Sequence, residues 1–213
     1  MEIIKWTETN NDTIAQKAAE VLRGGGAIIY PTDTLYGLGA DATNEVAVAA
    51  VRTIKGSGDE KAYLCMVSDM EAAGEFAESS KGSPCYRLAE AFLPGPLSII
   101  LNKRGDMLAP SVAPGRTNIG IRMPNHPFFI SLSKHFGKPI TSTSANTTGS
   151  IPGTTFEEVL ANLSEHHNRI TLAIDAGPVI STTPSTVVDL SGEAPIIIRE
   201  GATPAVDILL HCM

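Results

Sequence analysis

A chain of 213 residues with 43% hydrophobic content is long enough to bury one sizeable core and too short for two full domains, which run to roughly 100–200 residues each. Sixteen lysines and arginines against 23 aspartates and glutamates leave a formal net charge of −7, which opposes non-specific attraction to a nucleic-acid backbone, so a polyanion has to meet a local positive site. No apolar run approaches the roughly 20 residues that cross a bilayer, residues 1–12 are too polar for a signal-peptide core, and Cys65, Cys85 and Cys212 form neither a CxxC pair nor an even disulfide set, all of which points to a cytoplasmic chain with reduced thiols.

Asp12 or Thr13 can cap a first helix that carries Ile14, Ala18, Val21 and Leu22 on one face and is stopped by Gly24, Gly25 and Gly26. A buried strand over residues 27–30 follows, then a loop over 31–39. Asn44 is the expected cap of a second helix running through Val46, Ala50, Val51 and Ile54, with Lys55 near its C-terminal end. Strands are predicted over 62–67, 97–101, 117–122, 139–143, 171–174, 186–190 and 196–199. Helices are predicted over 70–77, over 85–92 behind Ser83 and Pro84, over 127–136, and over 156–163 behind a Thr155…Glu158 capping box. Strands and helices mixed in this way argue an α/β fold, a single domain whose sheet is partly parallel and partly antiparallel and is flanked by helices.

Two loops stand out. Residues 141–150 (Thr-Ser-Thr-Ser-Ala-Asn-Thr-Thr-Gly-Ser) hold seven hydroxyl side chains in ten, directly after a predicted strand. Such a loop can present O–H and N–H donors to phosphate oxygens, and ligands of open α/β sheets favour the carboxyl ends of strands. Ser142, Ser144 and Asn146 are the candidates, although the same composition suits a polar surface turn. The other loop, Pro31-Thr32-Asp33-Thr34-Leu35-Tyr36-Gly37-Leu38-Gly39, joins two hydroxyls, a carboxylate and a phenol to a glycine pair that would permit close backbone approach to a ligand. It matches neither a Walker A loop nor a GxGxxG fingerprint.

Lys55, Lys61, Arg122 and Arg199 fall at or near predicted element ends, where a cation can face a phosphate or hold a carboxylate with two parallel bonds. A solvated surface charge is the competing reading for each. The five histidines show no metal-ligand spacing, His166-His167 reads as an exposed helix end, and no G-x-S-x-G elbow is present.

Six motifs then occur in a fixed order: residues 31–39, Pro94-Gly95-Pro96-Leu97, Gly120-Ile121-Arg122-Met123-Pro124, Ser142-Thr143-Ser144-Ala145-Asn146, Ser185-Thr186-Val187-Val188-Asp189 and Ile198-Arg199-Glu200-Gly201. In this order the chain resembles the YrdC-like proteins, the threonylcarbamoyl-AMP synthases, over about residues 28–201. The resemblance implies one catalytic domain over 1–213, of the short type without an extra C-terminal domain, with the twisted mixed sheet of that family. It implies synthesis of threonylcarbamoyl-AMP and pyrophosphate from L-threonine, bicarbonate or CO₂, and ATP with Mg²⁺, for the threonylcarbamoyl modification of adenosine 37 in tRNA, and hand-over of the product to a tRNA threonylcarbamoyl transferase complex. Direct RNA contact would be weak in so acidic a chain.

Carried over position by position, the resemblance implies that Thr34, Met66, Arg122, Ser142 and Ser185 contact L-threonine, Met66 standing where some members have a histidine. It implies that Ser57, Lys61, Asn118, Ser144, Pro152 and Arg199 lie on the ATP side, with Lys55, Lys61, Ser144 and Asn146 as the catalytic set. The chain departs from the family's Lys-x-Arg pattern, reading Lys55-Gly56-Ser57, while Ser144-Ala145-Asn146 keeps the Ser-x-Asn half. Lys61, or a guanidinium such as Arg52 or Arg116, is expected to supply the missing charge. The rivals are an RNA-binding module and carbamoyl transfer of the hydrogenase-maturation type; the charge opposes the first and the absence of CxxC motifs the second.

Overall fold

The computed structural model describes residues 1–58, 60–80 and 82–212. The first half of the chain forms strand β1 (Glu2–Lys5), helix α1 (Asn11–Arg23), strands β2 (Ala27–Tyr30) and β3 (Gly37–Gly39), helix α2 (Glu45–Lys55), strand β4 (Leu64–Met66), helices α3 (Met70–Gly74) and α4 (Pro84–Phe92) and strand β5 (Leu97–Asn102). The second half forms β6 (Asn118–Arg122), α5 (Pro127–Phe136), β7 (Ile140–Ser144), α6 (Phe156–Asn162), β8 (Ile170–Asp175), β9 (Thr186–Asp189), β10 (Ile196–Arg199) and α7 (Ala205–Cys212). The strands join in one sheet ordered β1-β8-β2-β3-β7-β4-β6-β5-β9-β10. The pairs β1–β8, β2–β8, β4–β6 and β5–β9 are parallel and the others antiparallel, so the mixed α/β sheet expected from the sequence is present.

Local chemistry sets most boundaries. Asn44 Oδ1 accepts from the backbone N–H of Val46 and Ala47 at 3.1 and 3.2 Å, and Gly56 closes α2 in the left-handed region at φ 58°. Pro127 opens α5 behind His126, whose Nδ1 accepts from the N–H of Phe128 at 3.2 Å; burial lowers the His126 pKa to about 4 and keeps the ring a neutral acceptor. The Thr155–Glu158 capping box starts α6.

Several expectations are corrected. Helix α1 starts one residue before Asp12, and Asp12 instead accepts from Ser131 and meets His135 of α5, each at 2.8 Å. The strand predicted over 62–67 is only Leu64–Met66, and the helix over 70–77 ends at Gly74, since Ala77 bridges to Lys103 in the sheet. The loop over 31–39 contains β3. His166 and His167 are half-buried in a 3-10 turn, Ser164–Arg169, with His167 Nε2 against the Leu160 carbonyl at 3.0 Å. Strand β1 and helix α7 carry no sequence expectation at all.

The two faces of the sheet are covered unequally. Alternate residues of β2 divide between two cores: Ala27 and Ile29 face α2, α4, α6 and α7, whereas Ile28 and Tyr30 face α1 and α5. The first core continues across the sheet through Cys65, Ile99 and Ile121. The second stops at Met66 and Ile140, because α1 and α5 reach no further. Beyond them the same face of β7, β4, β6 and β5 carries Ser142, Ser144, Arg122 and Ser98 interspersed with Leu64 and Ile100 rather than a continuous apolar row. No helix among the described residues is long and apolar enough to cross a membrane.

The glycine pair in β3 serves packing. A Cβ on Gly39 would stand 2.1 Å from the Thr141 carbonyl oxygen, and one on Gly37 2.7 Å from the Tyr30 ring. Both neighbours belong to the sheet and cannot retreat. Gly39→Ala is expected to cost about 2–3 kcal/mol or more by overpacking, read as a lower urea midpoint at unchanged slope; an unaltered midpoint would show that β3 and β7 are free to separate.

Candidate active site

The uncovered half of the sheet is the floor of a cleft of about 560 Å³. In-register pairing places Ser142 beside Leu64, Leu64 beside Gly120, and Met66 beside Arg122. Leu64 and Met66 point the same way, as do Ser142 and Ser144, by the two-residue period of a strand. The cleft therefore lies across the strands and not beyond their carboxyl ends, since β7 runs antiparallel to β4. Its walls come from the Thr32–Gly37 loop, the turn at Lys61 to Tyr63, the Ile151 to Thr154 loop and the segment from Thr182 to Ser185.

Arg122 is buried at the end of β6. Its Nη2 forms a close ion pair with Asp33 and donates to Thr34 Oγ1 at 3.0 Å. Burial lowers the Arg122 pKa from its ordinary value, Asp33 and Tyr30 offset part of that, and Arg199 adds to it. Because both Nη2 hydrogens are engaged, a substrate carboxylate cannot take Nη2 in a paired grip without displacing one of them; Nη1 meets no acceptor among the described residues. Arg199 is fixed nearby: Nε and Nη2 donate to the Ser185 carbonyl at 3.2 and 2.8 Å, and the Ser185 hydroxyl meets Ser98 Oγ at 3.0 Å. The Thr32–Tyr36 wall is anchored by Thr32 Oγ1 on the Leu35 carbonyl at 2.7 Å and by Tyr36, whose hydroxyl donates to the Gly177 carbonyl at 2.7 Å and accepts from the Ala176 N–H at 2.9 Å.

Behind the opposite end, Lys55 is 1% exposed. Its Nζ lies 2.7 Å from the Ser144 carbonyl, 3.3 Å from Ser144 Oγ, 2.5 Å from the Asn146 carbonyl and 2.8 Å from Asn146 Oδ1. Burial, with the Lys61 charge adding, lowers its pKa to about 7, while four oxygen acceptors around three N–H bonds favour the charged form. Asn146 donates in turn to the Ser150 carbonyl at 2.6 Å, and the Thr148 N–H to the Lys55 carbonyl at 2.8 Å. The hydroxyl-rich segment is thus wound around a buried ammonium, and it is no free surface turn.

The cleft brings together Thr34, Lys61, Met66, Arg122, Ser142, Ser144, Pro152, Ser185 and Arg199 from distant parts of the chain. Lys55 and Asn146 lie beneath its lining and hold Ser144 in place. Ser57 is also off the lining, its hydroxyl 2.5 Å from that of Tyr63, which does line the cleft. Asn118 stands four residues before Arg122 on β6, about 13 Å away at strand spacing, with its amide directed to Ser191 at 3.4 Å. Of the cations expected to replace the family arginine, Lys61 faces the cleft. Arg52 is committed to the carbonyls of Ser111, Gly58 and Lys61 at 2.9, 2.9 and 2.5 Å and covers the Tyr63 ring at 5.1 Å, and Arg116 does not line the cleft. Sequence reasoning assigned no role to Asp33, Tyr63 or Leu64; the period-two alternation of 64 and 66 is the signal that could have found the last.

Comparisons with known proteins agree with this fold. A family model for Sua5, YciO and YrdC proteins, described as "Telomere recombination", matches residues 20–201. The chain is 34% identical over 197 residues to the threonylcarbamoyl-AMP synthase of Bacillus subtilis, an alignment covering 91% of this chain and 54% of that protein. It is 34% identical over 207 residues to a putative threonylcarbamoyl-AMP synthase of Methanocaldococcus jannaschii, covering 95% and 94%. The fold matches Pyrococcus abyssi Sua5 complexed with L-threonine at a TM-score of 0.91 and 28% identity, over 99% of this chain and 61% of that one. The chain therefore spans about half the length of the B. subtilis relative.

Removing the ammonium at position 55 strands the carbonyl oxygens of Ser144 and Asn146, each costing about 1–3 kcal/mol, while Asn146 Oδ1 keeps the Ser144 hydroxyl. Lys55→Met is expected to destabilise the protein by about 3 kcal/mol or more and to speed hydrogen exchange at the Thr148 amide; a variant of undiminished stability would mean the segment holds its shape without Lys55.

Proposed function

This chain belongs to the Sua5/YciO/YrdC family, and from that premise we propose that it is an L-threonylcarbamoyladenylate synthase, forming threonylcarbamoyl-AMP and pyrophosphate from L-threonine, bicarbonate or CO₂, and ATP. The observation that carries this reading is a single cleft lined by a buried guanidinium, Arg122, of the kind that can hold a carboxylate, together with Lys61, Arg199 and a row of hydroxyls suited to phosphates. The likeness to a Sua5 complexed with L-threonine supports it.

In this reading the threonine carboxylate meets Arg122 Nη1, Thr34, Ser142 and Ser185 orient the substrate, and Met66 packs against its apolar part. The amine adds to the carbon of CO₂, its proton is released, and a carbamate oxygen attacks the α-phosphorus with loss of pyrophosphate. Lys61, Ser144 and Arg199 take the nucleotide side, with Pro152 on the adjoining wall. The protein's task is to align two anionic reactants and to stabilise charge on phosphorus oxygens with groups already held in place. Lys55 and Asn146 act through Ser144, and Ser57 through Tyr63.

Among the described residues no group of three or more His, Cys, Asp or Glu could hold a metal, and no carboxylate lines the cleft. Such a donor set fits a Mg²⁺ that arrives on the triphosphate and keeps much of its water, with the hydroxyls of Ser142 and Ser144 among the protein oxygens that would be available to it. The ion would offset charge on the phosphate oxygens as the bond to phosphorus forms. The product, an activated mixed anhydride, would pass to a tRNA threonylcarbamoyl transferase complex.

Pyrophosphate release from ATP, measured with bicarbonate and Mg²⁺, is expected to require L-threonine; release indifferent to threonine, or none from folded protein, would refute the assignment. Arg122→Ala removes a charge-assisted bond of about 1.5–3 kcal/mol, so KM for threonine is expected to rise roughly 10–100-fold while KM for ATP stays within about twofold. Equal rises in both constants would take Arg122 out of the amino-acid site.

A further inference from the structure

Arg122 enters the cleft with one side of its guanidinium already taken. Both partners of its ion pair with Asp33 are nearly closed off from solvent, the side chains being 6% and 10% exposed. Thr34, the second Nη2 partner, stands on the cleft wall, whereas Asp33 next to it does not. The carboxylate therefore meets the guanidinium from behind the wall. Among the described residues Asp33 Oδ2 is buried with no hydrogen-bond partner, and so is Arg122 Nε, so Asp33 is tied to the guanidinium by the one shared contact and by charge, with Thr34 as the second Nη2 partner. A carboxylate competing with the substrate would occupy the cleft; one behind the wall can only aim the arginine.

We propose that Asp33 is a positioning residue for the amino-acid site: by pinning Nη2 from behind the wall it turns the Nη1 edge of Arg122 into the cleft and so sets the affinity for the substrate carboxylate. The inference rests on the reading of this cleft as a threonine site. An arginine has several flexible bonds to immobilise, and a ligand that finds it already fixed does not bear that ordering cost. The pair also keeps a buried guanidinium compensated while the cleft is empty. An amide at position 33 would leave the shape and one acceptor but no counter-charge.

The test is calorimetric titration of the full chain with L-threonine and, separately, with Mg-ATP. Asp33→Asn is expected to weaken threonine binding at least tenfold, on the logic that a charge-assisted bond orienting the ligand's partner has been lost, and to leave ATP affinity within about twofold. Asp33→Glu, which keeps the charge, is expected to recover threonine affinity to within about threefold of the unsubstituted protein. Unchanged threonine affinity in folded Asp33→Asn, a loss shared equally by ATP, or a Glu variant no better than Asn overturns the proposal. Failure of the unsubstituted protein to bind threonine overturns the functional reading, and this inference with it. Should Asp33→Asn not fold, nitrogen-15 arginine spectra of the unsubstituted protein decide: a resolved, slowly rotating Nη2 group, identified by its loss in Arg122→Lys, is expected, and a freely rotating average signal overturns the proposal.

Discussion

The arrangement of this protein follows from one constraint: two helices are too few to cover a face that ten strands wide. Helices α1 and α5 seal the β1–β8–β2 side with Ile14, Ala18 and Leu22 against Ile28, Leu172 and Ile174, and Phe128, Phe129 and Leu132 complete that core. Past Met66 there is nothing left to cover the sheet. A continuous exposed apolar row there would favour association with other molecules, and serines and an arginine interrupt it between Leu64 and Ile100. The cleft is the remainder of an incomplete packing layer, with walls built from the loops that surround it.

Two buried cations organise that space by different means. Arg122 is compensated by a carboxylate, with a second partner in Thr34. Among the described residues Lys55 has no carboxylate as a hydrogen-bond partner; carbonyl and amide oxygens surround its ammonium. A formal negative charge beside Lys55 would sit next to Ser144, where the proposed nucleotide phosphates approach, and would repel them. Neutral oxygens satisfy the ammonium while leaving the nearby field positive. At Arg122 the countercharge lies behind the cleft wall, so it steadies the guanidinium without presenting an anion to the ligand.

Much of the framework was legible in the sequence because its signals are local. Asn44, Gly56, Pro127 and the Thr155–Glu158 pair act within a few residues of the boundaries they set. What escaped notice depends on distant partners. Strand β1 is an exposed edge whose pairing is supplied by β8, more than 160 residues away on about the scale of the whole chain. Strand β3 has only three residues, two of them glycine, and exists because Tyr30 and Thr141 leave no room for side chains. The burial of Lys55 beneath Ser144 and the pairing of Asp33 with Arg122 were hidden for the same reason: nothing near either residue in the chain says what will fold against it. Motif order located the site, and long-range contacts decide which of its residues face the cleft.

The close fit between β3 and β7 also has a meaning for how this protein can change over time. With Gly39 against a carbonyl and Gly37 against an aromatic ring, the floor has almost no freedom to accept a new side chain. A Cβ at Gly58 would meet nothing within 4 Å, and the Ile151 side chain in the rim loop is 85% exposed. Inherited variation in ligand preference is therefore channelled to the rim.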